Sequence, residues 1–219
     1  MTTRLVIGNK NYSSWSLRGW LAAKQAGLDF EEVFVNLGET NFKEQLRRHS
    51  RAGKVPVLIH DELEVWDTLA IIEYLAETCP DAGLWPSDPA ARARARSVSA
   101  EMHSSFTALR SAMPMNIRRS LPGEGRNAEV QMDILRITEI WRDCRSAAEG
   151  SGDFLFGAWS AADAMYAPVA SRFKTYAVEL DETSGGYAEA VLGSAWFKEW
   201  EAEALKEPWI VPEDEIDMD

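Results

Sequence analysis

Cysteine and histidine are scarce in this chain of 219 residues, which has two of the first and three of the second. Cys79 and Cys144 lie far apart and fit neither a Cys-x-x-Cys pair nor zinc spacing, so no disulfide framework is expected and both thiols read as reduced and structural. His49, His60 and His103 show no ligand spacing either, and no metal is expected. No apolar run approaches the roughly 20 residues that cross a bilayer, and residues 1–10 lack the apolar stretch and small-residue cleavage site of a signal peptide. A cytoplasmic protein without a membrane partner is the expectation. Positive charge is also in short supply: 23 Lys and Arg stand against 35 Asp and Glu, a formal charge of -12, which argues against nucleic acid or an anionic membrane as partner.

What is present describes an ordinary folded protein. Hydrophobic residues make up 46% of the chain, with nine tryptophans, enough to bury a sizeable core in one large domain or two small ones. Residues 43–54 break the acidic trend: Lys43, Arg47, Arg48, Arg51 and Lys54 face a single acid, Glu44. A small anionic ligand is expected near that segment.

Periodicity divides the chain. Arg4 to Gly8 reads as a strand, and Leu17, Trp20 and Leu21 recur at helical spacing until Gly27 supplies a stop. Val33, Val35 and Leu37 alternate as a second strand, parallel to the first, and a helix follows over residues 41–49. Residues 55–59 and 63–66 form a hairpin around His60-Asp61-Glu62, and Asp67-Thr68 offers cap chemistry for a helix over residues 69–78. The order βαβαββα is the thioredoxin-like layout, with helices on both faces of a four-stranded sheet. Residues 1–79 make this domain, the Pro-, Gly- and Asp-rich residues 80–89 a linker, and residues 90–219 an all-helical bundle. In the bundle a long helix from Ala90 to about Arg119 should be kinked or broken by Pro114. Helices over 128–148, with Val130, Ile134, Ile137 and Trp141 on one face, over 160–178 and over 187–206 complete it, and the acidic tail 212–219 is expected to be loosely attached.

Three places carry chemistry. The hydroxyl-rich turn Asn11-Tyr12-Ser13-Ser14-Trp15-Ser16 opens the first helix, whose unpaired N–H groups and positive dipole end attract an anion, here best read as a thiolate. Pro56 opens a strand, and in this layout a cis bond would leave the backbone of Val55 open to an extended, peptide-like ligand. Asp67 and Thr68 begin the next helix, where Thr68 can hold a carboxylate and Asp67 an ammonium, the pair of charges on one carbon of a γ-glutamyl group.

In this order these residues resemble the glutathione transferase family. Ser13-Ser14-Trp15-Ser16-Leu17-Arg18 is similar to the Ser-Ser-Cys-Ser-x-Arg segment of zeta-class transferases, which include maleylacetoacetate isomerases, with Trp15 in the cysteine's place. Gly53-Lys54-Val55-Pro56-Val57-Leu58 and Asp67-Thr68-Leu69-Ala70 are similar to the family's glutathione-binding segments, although Ser50-Arg51 replaces Asn-Pro and Asp67-Thr68 replaces Glu-Ser or Gln-Ser. Ser160-Ala161-Ala162-Asp163 resembles the capping motif of its helical domain, a structural signal.

The resemblance implies a glutathione transferase fold and a homodimer that uses glutathione as co-substrate, for detoxification by conjugation or for isomerisation of the maleylacetoacetate isomerase type. Ser13, with Ser14 and Tyr12 as rivals, would hold the thiolate; Lys54, with Arg47 or Arg51 in reserve, would meet the glycine carboxylate, and Val55, Pro56, Asp67 and Thr68 the rest of the tripeptide. Met102, His103, Phe106 and Arg110 fall at helical spacing as weaker candidates for the electrophile site. The competing readings are a non-catalytic association module on the same fold and a glutaredoxin-like reductase, which would need a cysteine that residues 11–18 lack.

Overall fold

Alternation along the first strand decides how the sheet is covered. Leu5 and Ile7 face one side and Val6 the other, and all three are buried. In the computed structural model, which describes residues 3–148 and 151–216, β1 (Thr3–Ile7) is a central strand of a sheet ordered β2-β1-β3-β4. It runs parallel to β2 (Glu31–Phe34) and antiparallel to β3 (Val57–His60), which pairs antiparallel with β4 (Leu63–Trp66). Leu5, Ile7 and Leu58 pack under α1 (Ser14–Gln25) and α3 (Thr68–Thr78). Val6, Val57 and Ile59 meet Leu46 of α2 (Phe42–His49) on the opposite face. This is the expected thioredoxin-like half, with two boundaries moved. β2 lies on residues 31–34 and not 33–37, because Leu37 has left the strand and donates its N–H to the side chain of Asn9 (2.8 Å). β3 begins two residues late, after a cis Val55-Pro56 bond.

Beyond a 3-10 turn at Pro80–Ala82 the chain is helical: α4 (Pro89–Ser104), α5 (Thr107–Ala112), α6 (Ala128–Ala147), α7 (Ala161–Thr175), α8 (Glu182–Gly193) and α9 (Ala195–Ala204). The long first helix expected here breaks at Ser105-Phe106, well before Pro114. Phe106 takes a left-handed φ of 60° while its ring is buried, and Asp133 of α6 accepts from Leu109 N–H (2.9 Å) to satisfy the new helix start. The helix expected over 187–206 is likewise two helices, since Ser194 caps α9. The tail also departs from expectation. Residues 212–216 are tied down by Glu215, which accepts from Tyr12 Oη (2.5 Å) and Asn116 Nδ2 (3.0 Å), while residues 217–219 lie outside the described residues.

One apolar core runs through both halves, from Leu5, Leu17 and Ile71 to Trp141, Tyr166 and Phe173. Its anchor is α7, almost wholly buried, whose start is fixed by a capping box. Asp163 accepts from the N–H groups of Leu155 (3.0 Å) and Ser160 (2.8 Å) and from Ser160 Oγ (2.9 Å). Burial pushes the Asp163 carboxyl up to about 6 although those hydrogen bonds favour its charged form. Asp163→Ala would strand two buried N–H groups and should cost about 3 kcal/mol in urea unfolding, against about 1 kcal/mol for Ser160→Ala.

Candidate active site

The turn between β1 and α1 is stitched to its surroundings on every side. Gly8 N–H donates to Ser16 Oγ (3.0 Å), and Asn9 Nδ2 donates to Asn36 Oδ1 (3.2 Å). Glu207 accepts from the N–H groups of Lys10 (2.6 Å) and Asn11 (3.0 Å), and Asn11 bonds Asn116 (2.8 Å) and the N–H of Arg118 (2.9 Å). Each bond pins a polar group at the junction of the two halves, so the start of α1 is a fixed platform.

On that platform the two candidate serines differ. Ser13 is the N-cap: its hydroxyl accepts from Ser16 N–H (3.3 Å) and donates to Ser16 Oγ (2.7 Å). Ser14 occupies the first helical position, lines the cleft, and its hydroxyl has no hydrogen-bond partner among the described residues. Tyr12 cannot compete with them. Its hydroxyl donates to Glu215 and accepts from Arg118 Nη2 (2.9 Å), and burial, with Glu215 beside it, pushes its pKa up. Its ring lines the cleft, while its polar end is committed to the tail.

Two pockets of about 490 and 480 Å³ meet at Trp15, Lys54, Val55 and Arg110 and together form a cleft between the halves. The second is walled by Pro56, Asp67, Thr68 and His103, so the structure brings together every residue expected to hold the tripeptide. Lys54 is exposed at the junction of the two pockets, whereas Arg47 and Arg51 line neither. Gly19 of α1 makes the Pro56 corner possible, since a Cβ there would lie 2.7 Å from the proline ring. Asp67 has a φ of 74°, a strained conformation for a residue other than glycine. It is held by Leu69 N–H donating to Oδ1 (2.9 Å) and by the ring of His103, 2.8 Å from Oδ2.

The four electrophile candidates separate. Met102 and Phe106 are core residues, because the break at Ser105 turns Phe106 inward. His103 belongs to the Asp67 end. Only Arg110 remains in the first pocket, with its guanidinium against the Trp15 ring (4.7 Å).

Two buried arginines that were not among the expected site residues lie close to this cleft. Arg18 is fully buried: its Nε donates to Met165 C=O (2.8 Å), its guanidinium lies against Trp15 (4.5 Å), and both terminal nitrogens lack an acceptor among the described residues. Arg172 of α7 donates to the carbonyls of Met113 (2.7 Å) and Pro168 (3.2 Å) and also lines the first pocket. Burial, then repulsion by neighbouring guanidiniums, holds Arg18 well below the arginine range and Arg172 at about 10. Asp214, from the tail, is the acid in that pocket among the described residues. Burial pushes its carboxyl up to about 6, with Arg172 opposing the shift.

This geometry agrees with the comparisons. Residues 12–78 match the family described as glutathione S-transferase, N-terminal domain. A probable maleylacetoacetate isomerase of Caenorhabditis elegans is 43% identical over 86 residues, 39% of each chain, and the maleylacetoacetate isomerase of Rattus norvegicus is 40% identical over 89 residues, 39% of this chain and 40% of its own. The aligned region thus spans about two fifths of the length of these relatives. Among solved structures, a glutathione transferase homologue from Burkholderia, with bound glutathione, superposes with a TM-score of 0.72 at 22% identity over 93% of this chain and 98% of its own. A maleylacetoacetate isomerase from Anaeromyxobacter dehalogenans does so at 0.69 and 24% identity over 99% and 97%. The chain has the glutathione transferase fold, and its residues 12–78 match the N-terminal domain of the glutathione S-transferase family.

Thr68 supplies a test of the site that needs no ligand. Its hydroxyl is buried with no hydrogen-bond partner among the described residues, which costs the empty protein free energy. Thr68→Val should raise the melting temperature of the ligand-free protein by about 2–4 °C, the shift that roughly 1 kcal/mol produces at this size.

Proposed function

We propose that the protein is a glutathione-dependent enzyme that activates the tripeptide's thiol and adds it to a small electrophile, for conjugation or for isomerisation. The observation that carries this reading is the orphaned hydroxyl of Thr68, a residue that walls the same cleft as Asp67 with its strained backbone, Val55 and Ser14. Thr68 O–H donates to the γ-glutamyl carboxylate at the N-terminus of α3, and Asp67 meets the ammonium on the same carbon. Val55 pairs with the cysteinyl backbone as an added strand would, and Lys54 meets the glycine carboxylate. The sulfur then falls at the start of α1.

An unperturbed thiol has a pKa of about 8.5, so at pH 7 only a few per cent is ionised. The first turn of α1 supplies N–H groups, the dipole and a hydroxyl donor to the charged form, and lowering the pKa by about two units corresponds to about 2.7 kcal/mol. The thiolate forms a bond to the electrophilic carbon, and either a leaving group departs with its electron pair or water returns a proton. In the isomerising version the same sulfur bonds to one carbon of a carbonyl-conjugated double bond, the displaced electron pair rests on the carbonyl oxygen, the resulting single bond rotates, and return of that pair re-forms the double bond as the thiolate leaves. Arg110 and Arg172 suit an electrophile that carries negative charge. No step calls for a metal. Detoxification in the cytoplasm is the setting this reading implies. An association module without chemistry would have no use for a buried, unpartnered hydroxyl and a strained carboxylate facing one cleft.

Between the two serines the assignment follows hydrogen bonding. A hydroxyl that already donates to Ser16 must break that bond to serve a thiolate, so Ser14 is the donor and Ser13 holds the turn. Ser14→Ala should lower kcat/KM for conjugation of 1-chloro-2,4-dinitrobenzene by roughly 100-fold and raise the bound thiol's pKa, whereas Ser13→Ala should lose about tenfold. The reverse order would give the donor role to Ser13. Calorimetry should show glutathione binding weakened at least tenfold by Thr68→Val, and no heat with the wild type would remove the reading altogether.

A homodimer accords with the exposed side chains. Trp66 and Leu63 of β4 stand about half exposed on one half of the molecule, and Met132 and Leu135 of α6 on the other, which a two-fold pairing of unlike halves would cover. Trp66→Arg should shift the protein from dimer to monomer in sedimentation. A wild type that already sediments as a monomer would exclude the dimer.

A further inference from the structure

The tail that was expected to hang free delivers a carboxylate into the first pocket. Val211 is buried, Asp214 N–H donates to Val211 C=O (3.0 Å), and Glu215 is held by Tyr12, Asn116 and Arg119 (3.6 Å), so Asp214 is fixed from both sides. Every element around it contributes charge or a titratable group. Arg172 and Tyr176 face it from α7 and Arg110 from α5, Arg118 and Arg119 come from the segment after α5, Tyr12 from the turn before α1, and Glu213 and Glu215 flank it. Arg110 and Arg172 have only backbone carbonyls as hydrogen-bond acceptors among the described residues. Asp214 is therefore the counter-charge for Arg172, in a pocket that Arg110 also lines.

We propose that Asp214 sets the choice of second substrate: its carboxylate neutralises Arg172 and Arg110, so an electrophile bearing its own carboxylate is accepted when Asp214 carries a proton and repelled when it does not. This rests on the reading that the first pocket receives the electrophile. Removing the side chain's charge leaves the guanidiniums to an anionic ligand, and the pocket then discriminates in favour of anions at any pH. A neutral electrophile of the same shape has no stake in that charge. The burial that pushes the Asp214 carboxyl up to about 6 places the change in the mildly acidic range, with Arg172 opposing it.

The test compares 4-nitrobenzoate, ionised throughout, with its neutral methyl ester, each titrated by quenching of tryptophan fluorescence at pH 7.5 and pH 5.5. The wild-type preference for the anion over the ester should rise about tenfold as the pH falls. Asp214→Asn should hold the higher preference at both values, and Asp214→Ser, which also deletes the charge, should behave the same way, with Glu213→Gln retaining the wild-type response. A wild-type ratio that does not move, an Asp214→Asn protein that still responds as the wild type does, or an anion that fails to bind Asp214→Asn would overturn the proposal. Glutathione calorimetry on the same preparations keeps the two ideas apart, since absent heat defeats the thiol reading while the anion-to-ester ratio still decides on Asp214.

Discussion

A fixed turn at residues 8–16 is the constraint on which the site depends. An N-terminal helix end stabilises an anion only if its N–H groups do not have to reorganise, and here they cannot, because Gly8 is bonded to Ser16 across the turn and Asn9, Lys10 and Asn11 to groups outside it. Those partners come from both halves of the molecule: Asn36 and Ser16 from the thioredoxin-like half, Asn116, Arg118 and Glu207 from the helical half. Trp200 Nε1 adds a bond to Lys10 C=O (2.8 Å). The platform thus exists only when the two halves are packed, and the continuous core through α1 and α7 makes that packing part of folding itself. Burial of Glu207 raises its pKa, while the two N–H groups of the turn favour its charged form, so the turn and the carboxylate stabilise each other.

Charge in the cleft is arranged against the bulk of the protein. The chain carries a formal charge of -12, yet the first pocket is walled by Arg110 and Arg172, with Lys54 at its edge and Arg18 beneath Trp15. Burying several guanidiniums together is costly unless something opposite in sign is supplied. Backbone carbonyls of Met113, Pro168 and Met165 supply part of it, and Asp214 supplies the rest in the first pocket. Trp15 contributes through its ring face, which both Arg18 and Arg110 approach. The position that holds cysteine in the similar zeta-class segment therefore has a different task in this chain: it carries cations.

How much of this was legible in the sequence follows from the range of the interactions involved. Strands with strict alternation or continuous apolar runs, such as β1, declared themselves, as did the caps at Asp67 and Ser160, because those signals are local. The segments that wall the second pocket were legible as well, since each sits at the start of a helix or strand where the chemistry is written in two or three consecutive residues. The break at Ser105-Phe106 was hidden, because its cause is a ring burying itself and a cap from Asp133, which is 24 residues away from the N–H it satisfies. Arg172 looked like an interior helix position, and nothing nearby in sequence marks the cavity it lines. The tail misled for the same reason: acidity in residues 212–216 normally means solvation, and the groups that hold it, Tyr12, Asn116, Arg119 and Arg172, are all distant in sequence.

The two halves of the site consequently carry different kinds of information. The family match ends at residue 78, and within it lie the serine turn, Val55-Pro56 and Asp67-Thr68. On the reading proposed above these groups recognise features of one invariant tripeptide, so few alternatives to them would work and short local patterns suffice to find them. Arg110, Arg172 and Asp214 lie outside that match, on two helices and a tail whose relative placement is set by core packing. A change in helix break or tail length moves these three groups without disturbing the tripeptide's subsite, because the platform is anchored by Asn11, Asn116 and Glu207 and not by the residues that face the electrophile. Likeness in the first 80 residues therefore speaks for the thiol chemistry. The second substrate, on the proposal made here, is chosen in the helical half, by the balance between two guanidiniums and one carboxylate.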